Sequence, residues 1–341
     1  MPEPLTLEDL LERHAPELEL HKGYIARSPD GQLFLAGGGH DTFLYKTGNK
    51  RLPDRCFGEF DKNLKARKAY STRRGARYLH AVVPDKESVA TGSLPAGLKL
   101  TSLIDTYKAH CRQSFLDLRP DRPVPGYFKK VDTHWAIPGE IDAAGRIARA
   151  FGIGEPEIAA GIARLKAAVT AETFEAHGDL GLQFEPYETE LQPNFDAGWT
   201  TSFYINPVGI WNDGKTEIYR SPASPPRRLL IFGDSFIHNA CRMLTPFFET
   251  ILFCRSEFYH REMVDMMRPS HILTEQVERF LERIRPDTEA GRFLLIPFVN
   301  GTGIAPTQAY WVALDDVLTP FKPAPWRGWR AFFARMLKGW K

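Results

Sequence analysis

The chain has 341 residues, 43% of them hydrophobic and 25% charged, and a formal net charge of +2. This composition predicts a globular protein with one large domain or two ordinary ones, and the charge indicates no particular class of partner. The sequence contains no apolar run long enough for a transmembrane helix and no metal-ligand spacing of cysteine or histidine. It also lacks a Walker A loop and a dinucleotide-binding fingerprint.

The first half of the chain predicts alternating helices and strands. Thr6 and Asp9 form a capping-box pattern, which begins a helix over residues 6–14. Periodicity and turn residues predict two strands and three helices further on, over residues 31–36 and 77–84 and over residues 101–116, 139–151 and 155–169.

The second half contains a hairpin signal and two further strand signals. Residues 201–206 and 216–220 flank an Asn-Asp-Gly turn at 212–214, a strong signal for two paired strands. The apolar runs at 229–232 and 293–299 each predict a buried strand.

A serine follows the strand predicted at 229–232. Gly233 allows a tight turn, and the segment after Ser235 predicts a helix, so the serine lies where α/β sheets bind ligands. We predict that Asp234 caps this turn. The backbone N–H of Ser235 can face a developing oxyanion, but a nucleophilic serine also needs a base and a group that orients the base.

Asp132 and His134 are the candidates for these two roles. Residues i and i+2 of an extended segment point the same way, so the Asp132 carboxylate can orient the imidazole of His134. Each motif alone also fits a solvated turn. Together they predict a Ser-His-Asp triad with Ser235.

Five segments carry a family resemblance. They are DGQLFL at 30–35, VVPDKESV at 82–89, YFKKVDTHW at 127–135, GDSF at 233–236, and RP at 268–269 followed by TEQVER at 274–279. In this order they resemble motifs of the SGNH-hydrolase-like O-acetyltransferases that modify bacterial polysaccharides, the alginate O-acetyltransferase group. Gln32 stands where those proteins usually have Trp, and Ala90 where they have Tyr.

The resemblance implies a three-layer α/β fold of the SGNH type with a mostly parallel sheet. It also implies a circularly permuted order of the triad residues, because Asp-x-His precedes the serine here, whereas ordinary SGNH esterases carry it near the C-terminus. By this resemblance Ser235 is the nucleophile, His134 the general base and Asp132 the residue that orients it.

The activity implied is O-acetyl transfer, through an acyl-enzyme, to a hydroxyl of a polysaccharide or lipid-linked glycan. No cofactor or metal is expected. An acyl donor of unknown identity is required, and a membrane protein that supplies the acyl group is an expected partner. Two alternatives stay open: a carbohydrate esterase (deacetylase) of the same fold, and a non-catalytic glycan-binding assembly protein. The intact set of Ser235, His134 and Asp132 argues against the second.

Three further residues are candidates for substrate binding. Trp135 offers an aromatic face, Arg255 follows the apolar run 251–254, and Asn300 lies in a loop that can supply an oxyanion donor. The alternatives are ordinary packing for Trp135, a surface ion pair for Arg255 and a plain turn for Asn300. The atypical region 170–226 is expected to be an insertion beside the active site and a part of the sugar-binding surface.

We expect a catalytic domain over 1–316 and a basic, aromatic tail over 317–341. Cations mixed with Trp and Phe are typical of an amphipathic helix at a membrane surface, the alternative being a docked terminal helix with its cations in water. Nucleic acid is not an expected partner. The acidic N-terminus lacks a signal-peptide pattern, which predicts a cytoplasmic protein, peripheral at the inner membrane. A periplasmic location is the alternative if an export signal has been removed.

Deletion of residues 322–341 is expected to reduce binding to anionic vesicles and to leave the reaction with a small soluble ester unchanged. Each Lys or Arg near such a surface contributes about 1 kcal/mol, and salt weakens the attraction. Co-sedimentation of the full-length and shortened proteins at low and high salt checks this. Equal binding by both would contradict the membrane interpretation.

Overall fold

The computed structural model describes residues 5–204, 213–296 and 307–318. Asn300, the first residue of the 212–214 turn and the tail from residue 319 onwards lie outside these ranges. No helix within them is both long and apolar enough to cross a membrane.

Twelve strands and nine α-helices form in the described ranges, together with short 3-10 helices. The strands are β1 Glu19–His21, β2 Ile25–Arg27, β3 Leu33–Leu35, β4 Arg77–Val83, β5 Leu116–Asp117, β6 Val169–Ala176, β7 Glu190–Phe195, β8 Thr201–Tyr204, β9 Thr216–Arg220, β10 Arg228–Gly233, β11 Thr250–Arg255 and β12 His271–Val277. The helices are α1 Leu7–His14, α2 Thr42–Lys46, α3 Asp54–Arg73, α4 Leu103–His110, α5 Ile137–Ala150, α6 Glu155–Ala167, α7 Ser235–Ala240, α8 Arg261–Met267 and α9 Gln308–Leu318.

The helices with strong local signals are confirmed. At the start of α1, Thr6 and Asp9 make both hydrogen bonds of the capping box. Helices α5 and α6 occupy the two segments expected to be helical after the Asp132 motif. Helix α4 is shorter than expected, because Ser102 caps its first turn and the chain is extended from Cys111.

The strand expected at 293–299 is wrong where the structure describes it. Phe293–Leu295 is a 3-10 helix, and the buried Phe293 ring packs with the side chains of α8 and α9. The Phe293 N–H donates to the Glu262 carboxylate at 2.8 Å rather than to a neighbouring strand. An apolar run shows burial, but it cannot show which backbone partner is present.

The main sheet has seven strands in the order β5-β4-β12-β10-β11-β9-β8. The first five strands are mutually parallel, whereas β9 and β8 join antiparallel at the far edge. The mixed α/β fold with a mostly parallel sheet is therefore confirmed. Strand β12 was not predicted from the sequence, because its polar residues Thr274 and Glu275 interrupt the apolar pattern although both are buried.

The region 170–226 is built into the fold at several places. Strands β8 and β9 belong to the main sheet and pair with each other, as the hairpin signal indicated. Strands β6 and β7 instead form a separate antiparallel pair. Asp179, in the segment between β6 and β7, accepts hydrogen bonds from Thr133, which places this segment beside the candidate site.

Helices cover both faces of the main sheet. Side chains alternate along a strand, so Leu229 and Ile231 of β10 pack toward α5, α6 and α7, whereas Leu230 and Phe232 pack toward α8 and α9. The four consecutive apolar residues of β10 reflect burial on both faces.

A cluster of buried charges lies where β4 and β12 end. Nζ of Lys46 lies 3.3 Å from Asp85 and 2.8 Å from Glu87. It also lies 3.1 Å from Glu278. Arg279 adds a second cation, 2.6 Å from Asp85. All five side chains are buried, so each charge depends on its neighbours.

The protonation of this cluster follows from burial and from its charge balance. Burial opposes the charge of Lys46, but the three carboxylates outweigh it and raise the pKa of Lys46. Burial also opposes the ionised form of Asp85, but Lys46 and Arg279 outweigh it and lower that pKa. Burial raises the pKa of Glu87 to about 7, so a proton on Glu87 brings the remaining carboxylates into balance with the two cations.

Glu278 also holds backbone around the cluster. Its Oε1 accepts the Leu103 N–H at 2.7 Å, and its Oε2 accepts the Asp85 N–H at 3.0 Å. The motif segments at 82–89 and 274–279, far apart in the sequence, are joined in this way.

Replacement of Glu278 by Ala is expected to destabilise the protein by roughly 3–5 kcal/mol, since it removes a buried carboxylate that pairs with Lys46 and leaves two backbone N–H groups without an acceptor. Chemical denaturation measures the loss. Glu289→Gln is the control, because Glu289 pairs with Arg285 at the surface and should change stability little. Equal effects of the two substitutions would contradict a central role for Glu278.

Candidate active site at the end of strand β10

Ser235 begins α7 directly after the turn that ends β10, and its side chain is partly exposed. Strand β10 is parallel to both of its neighbours, β11 and β12. Ser235 therefore lies at the edge formed by the carboxyl ends of parallel strands, where open α/β sheets bind ligands.

Asp234 caps the turn that presents Ser235, as predicted. One carboxylate oxygen accepts the Phe236 N–H at 2.9 Å, in the first turn of α7. The other accepts the Val277 N–H at 2.8 Å, at the end of β12. A single carboxylate thus ties the serine turn to the neighbouring strand.

Gly233 is required by the close packing beneath the turn. A Cβ here would clash with Ile237 and would lie 2.5 Å from Oε2 of Glu275. The same oxygen accepts the Asp234 N–H at 3.0 Å. Burial raises the pKa of Glu275 well above its usual range, and the nearby Asp234 carboxylate adds to the rise.

Asp132 and His134 form a hydrogen-bonded pair. Nδ1 of His134 lies 2.7 Å from Oδ1 of Asp132, which also accepts the His134 backbone N–H at 3.0 Å. Burial would raise the pKa of Asp132, but the hydrogen bond from His134, its charge and that of Lys129 outweigh burial and lower it. An ionised Asp132 favours the tautomer with hydrogen on Nδ1, which leaves Nε2 as the acceptor.

The imidazole of His134 lies beside the serine turn. Its centroid is 4.7 Å from that of the Phe236 ring, and Phe236 directly follows Ser235. Nε2 of His134 is buried and has no hydrogen-bond partner among the described residues. A buried polar atom without a partner is unfavourable, so Nε2 of His134 is open to accept a hydrogen bond from a hydroxyl group.

Arg279 is a residue near the site to which the sequence analysis gave no role. Its guanidinium lies 5.3 Å from the centroid of the Phe236 ring and pairs with Asp85 at 2.6 Å. Arg279 thereby connects the buried charge cluster to the serine turn. Its place at the end of the TEQVER segment, 274–279, was the available signal.

The substrate-binding candidates have different outcomes. Trp135 is only 1% exposed, and its ring packs edge-on against Tyr127 and Phe236. This enclosure corrects the expectation that Trp135 presents an aromatic face to a sugar. Arg255 ends β11 opposite Gly233 and is partly exposed. Asn300 lies outside the described residues.

A second carboxylate, Asp179, faces the imidazole of His134. It accepts hydrogen bonds from the Thr133 N–H and hydroxyl, and lies 3.7 Å from Nδ1 of His134. Side-chain atoms of Asp132, His134 and Asp179 lie within 4.8 Å of one another, a spacing that a metal ion can use. The hydrogen bonds from Thr133 account for the position of the Asp179 carboxylate.

Three solved structures share the overall fold of this chain. They are a DHHW family protein from Eubacterium siraeum (TM-score 0.53, 15% identity, 79% of this chain and 95% of that chain), Bacillus cereus PatB1 with a sulfonyl adduct (0.51, 13%, 78% and 98%) and the O-acetyltransferase domain of Pseudomonas putida AlgJ (0.50, 14%, 81% and 99%). The sequence matches no family model and no curated protein.

The likeness extends over most of this chain and nearly all of each neighbour. At this level of identity it establishes a common architecture. The O-acetyltransferase domain of Pseudomonas putida AlgJ is one of the proteins that share this architecture.

Wild-type protein is expected to lose stability relative to a Glu275→Gln variant as the pH rises above about 4.5. The pKa of Glu275 is raised in the folded state, so the unfolded chain releases this proton first and the folded protein is disfavoured as the pH increases. The glutamine keeps an acceptor for the Asp234 N–H but cannot ionise. Denaturation of both proteins at several pH values up to about 8 checks this, and parallel pH profiles would contradict it.

Proposed function

We propose that this protein is an O-acetyltransferase that modifies a hydroxyl of a polysaccharide or other glycan through an acetyl-enzyme on Ser235. One observation carries the proposal: the ring of a histidine held by Asp132, with Nε2 unpartnered among the described residues, lies against the residue that follows a partly exposed serine. The fold shared with an O-acetyltransferase domain supports it.

In the first half of the proposed reaction, Oγ of Ser235 attacks the acetyl carbonyl of the donor. Nε2 of His134 accepts the hydroxyl proton, and the Asp132 carboxylate stabilises the imidazolium. The backbone N–H of Ser235 can donate to the developing oxyanion. The proton then passes from Nε2 to the leaving group as its bond to the acetyl carbon breaks.

In the second half, a sugar hydroxyl replaces the leaving group. His134 accepts its proton while the oxygen attacks the acetyl-serine, and the proton returns to Oγ of Ser235 as that ester bond breaks. Water in place of the sugar would make the protein an esterase. The same residues serve both reactions, so access of the acceptor to the acetyl-enzyme decides between them.

The proposal also covers the acetyl donor, the order of the triad residues and the location of the protein. Neither a cofactor nor a metal enters either step, but the acetyl donor must be supplied, by a membrane protein in the scheme that the sequence resemblance implies. The triad order, Asp132 and His134 before Ser235, is the circularly permuted order of that resemblance. A cytoplasmic enzyme at the inner membrane fits a lipid-linked glycan, whereas a periplasmic one fits a finished polysaccharide.

Incubation with an activated acetyl ester is expected to leave an acetyl adduct on the Ser235 peptide, and Ser235→Ala should abolish both adduct and turnover. Loss of a triad nucleophile removes on the order of 10⁴-fold or more of the rate. Peptide mass spectrometry locates the adduct, and a chromogenic leaving group measures the turnover.

Ser202→Ala is the matched control, because Ser202 is an exposed serine on β8 that bonds to Glu217. It should keep both adduct and turnover. Oligosaccharide acceptors should speed release of the leaving group and become acetylated. Free acetate alone across a broad acceptor panel would favour the esterase. Undiminished turnover by Ser235→Ala would exclude the acetyl-serine mechanism.

A further inference from the structure

We propose that Asp179, on the segment between β6 and β7, is a positioning residue that lies beside Asp132 at Nδ1 of His134 and stabilises the protonated imidazole. This inference rests on the proposed function for its catalytic meaning. The geometry behind it does not depend on that function.

The first observation is the set of contacts made by the Asp179 carboxylate. Oδ1 accepts the Thr133 N–H at 2.7 Å, and Oδ2 accepts the Thr133 hydroxyl at 2.5 Å. Oδ2 also lies 3.7 Å from Nδ1 of His134, beside the 2.7 Å contact of Asp132. Two carboxylates therefore face the same ring nitrogen.

The second observation is that backbone packing requires Asp179 to be near this loop. Gly178 has a φ of +63°, and a Cβ there would clash with the Val131 carbonyl oxygen. The Gly181 N–H donates to the same oxygen at 2.8 Å. The two backbones are therefore in direct contact on both sides of Asp179, which keeps the main chain of Asp179 close to the loop that carries Thr133.

Glu190, at the start of β7, provides an internal comparison. It accepts the Lys130 N–H at 2.9 Å and the Val131 N–H at 3.2 Å. Glu190 and Asp179 thus both hold the loop through its backbone. Of the two, Asp179 also lies within ion-pair distance of the His134 imidazole.

Other charged groups face the same loop and must be considered. Lys129 pairs with Asp132 at 3.2 Å, and Lys86, after β4, donates to the Lys130 carbonyl at 2.9 Å. On α5, Glu140 is buried and pairs with Arg242 at 3.1 Å.

Arg279, after β12, pairs with Asp85 at 2.6 Å. All of these groups are present in both variants compared below, so their electrostatic effect on His134 is the same in each variant.

The physical consequence is electrostatic. When Nε2 of His134 accepts a proton, the positive charge is shared over the ring, and Asp179 stabilises it next to Asp132. Removal of the Asp179 charge should make the imidazole harder to protonate. A residue with only a structural role would not produce this change.

In Asp179→Asn, the His134 imidazole is expected to take up its proton at a lower pH than in the wild-type protein, because one of the two carboxylates that face Nδ1 is lost. NMR of the ring signals, assigned by their loss in His134→Gln, measures it without requiring turnover. The acidic limb of the kcat/KM profile should move down by a similar amount. Glu190→Gln, which removes a carboxylate that contacts the backbone of the same loop, should move both much less.

An unchanged midpoint in Asp179→Asn, or an equal shift in Glu190→Gln, would overturn the inference. If Asp179→Asn does not fold, as judged by circular dichroism, Thr133→Val removes one of the hydrogen bonds that hold Asp179, and a smaller downward shift is expected. If Thr133→Val shows no shift, the proposed role of Asp179 is contradicted. Normal turnover by Ser235→Ala would refute the proposed function alone, since the NMR titration does not depend on it.

Discussion

The buried charge cluster around Lys46 and Glu278 is the constraint on which the rest of the structure depends. Removing five ionisable groups from water is unfavourable, and the loss is recovered only when every partner is in place. The cluster therefore selects one arrangement of α2 and the ends of β4 and β12. Through Arg279, which contacts both Asp85 and the Phe236 ring, that arrangement extends to the serine turn.

Around the candidate site, carboxylates rather than regular secondary structure hold the loops. Asp234 and Glu275 accept backbone N–H groups at the end of β10 and β12, and Asp179 and Glu190 do the same for the loop that carries His134. Such bonds hold a loop because the N–H groups lose their protein acceptor if the loop moves, which is most unfavourable for the buried N–H groups of Asp234 and Val277. A serine and a histidine from distant segments can in this way be held at one edge of the sheet.

Much of the site could be predicted because its signals are local. The turn at Ser235 follows from an apolar run, a glycine and an N-cap aspartate within a few residues, and the contact of Asp132 with His134 joins residues two apart. Burial of Trp135 and the 3-10 helix at Phe293 could not be predicted, because an aromatic or apolar pattern does not reveal which neighbours enclose it. Asp179 had no signal of its own, since its significance lies in a contact with a loop 46 positions earlier.

By itself, the sequence determined several of the helices and strands, the turn that presents Ser235 and the pairing of Asp132 with His134, whereas the mostly parallel sheet was implied by the family resemblance. Periodicity, capping and turn preferences act over a few residues, so they can be seen in the chain itself. Only the tertiary structure decided that Glu278 joins two motif segments, that Trp135 belongs to the core and that Asp179 faces His134. These depend on which distant backbone and side-chain groups are buried together, because burial makes an unpaired charge or N–H group unfavourable.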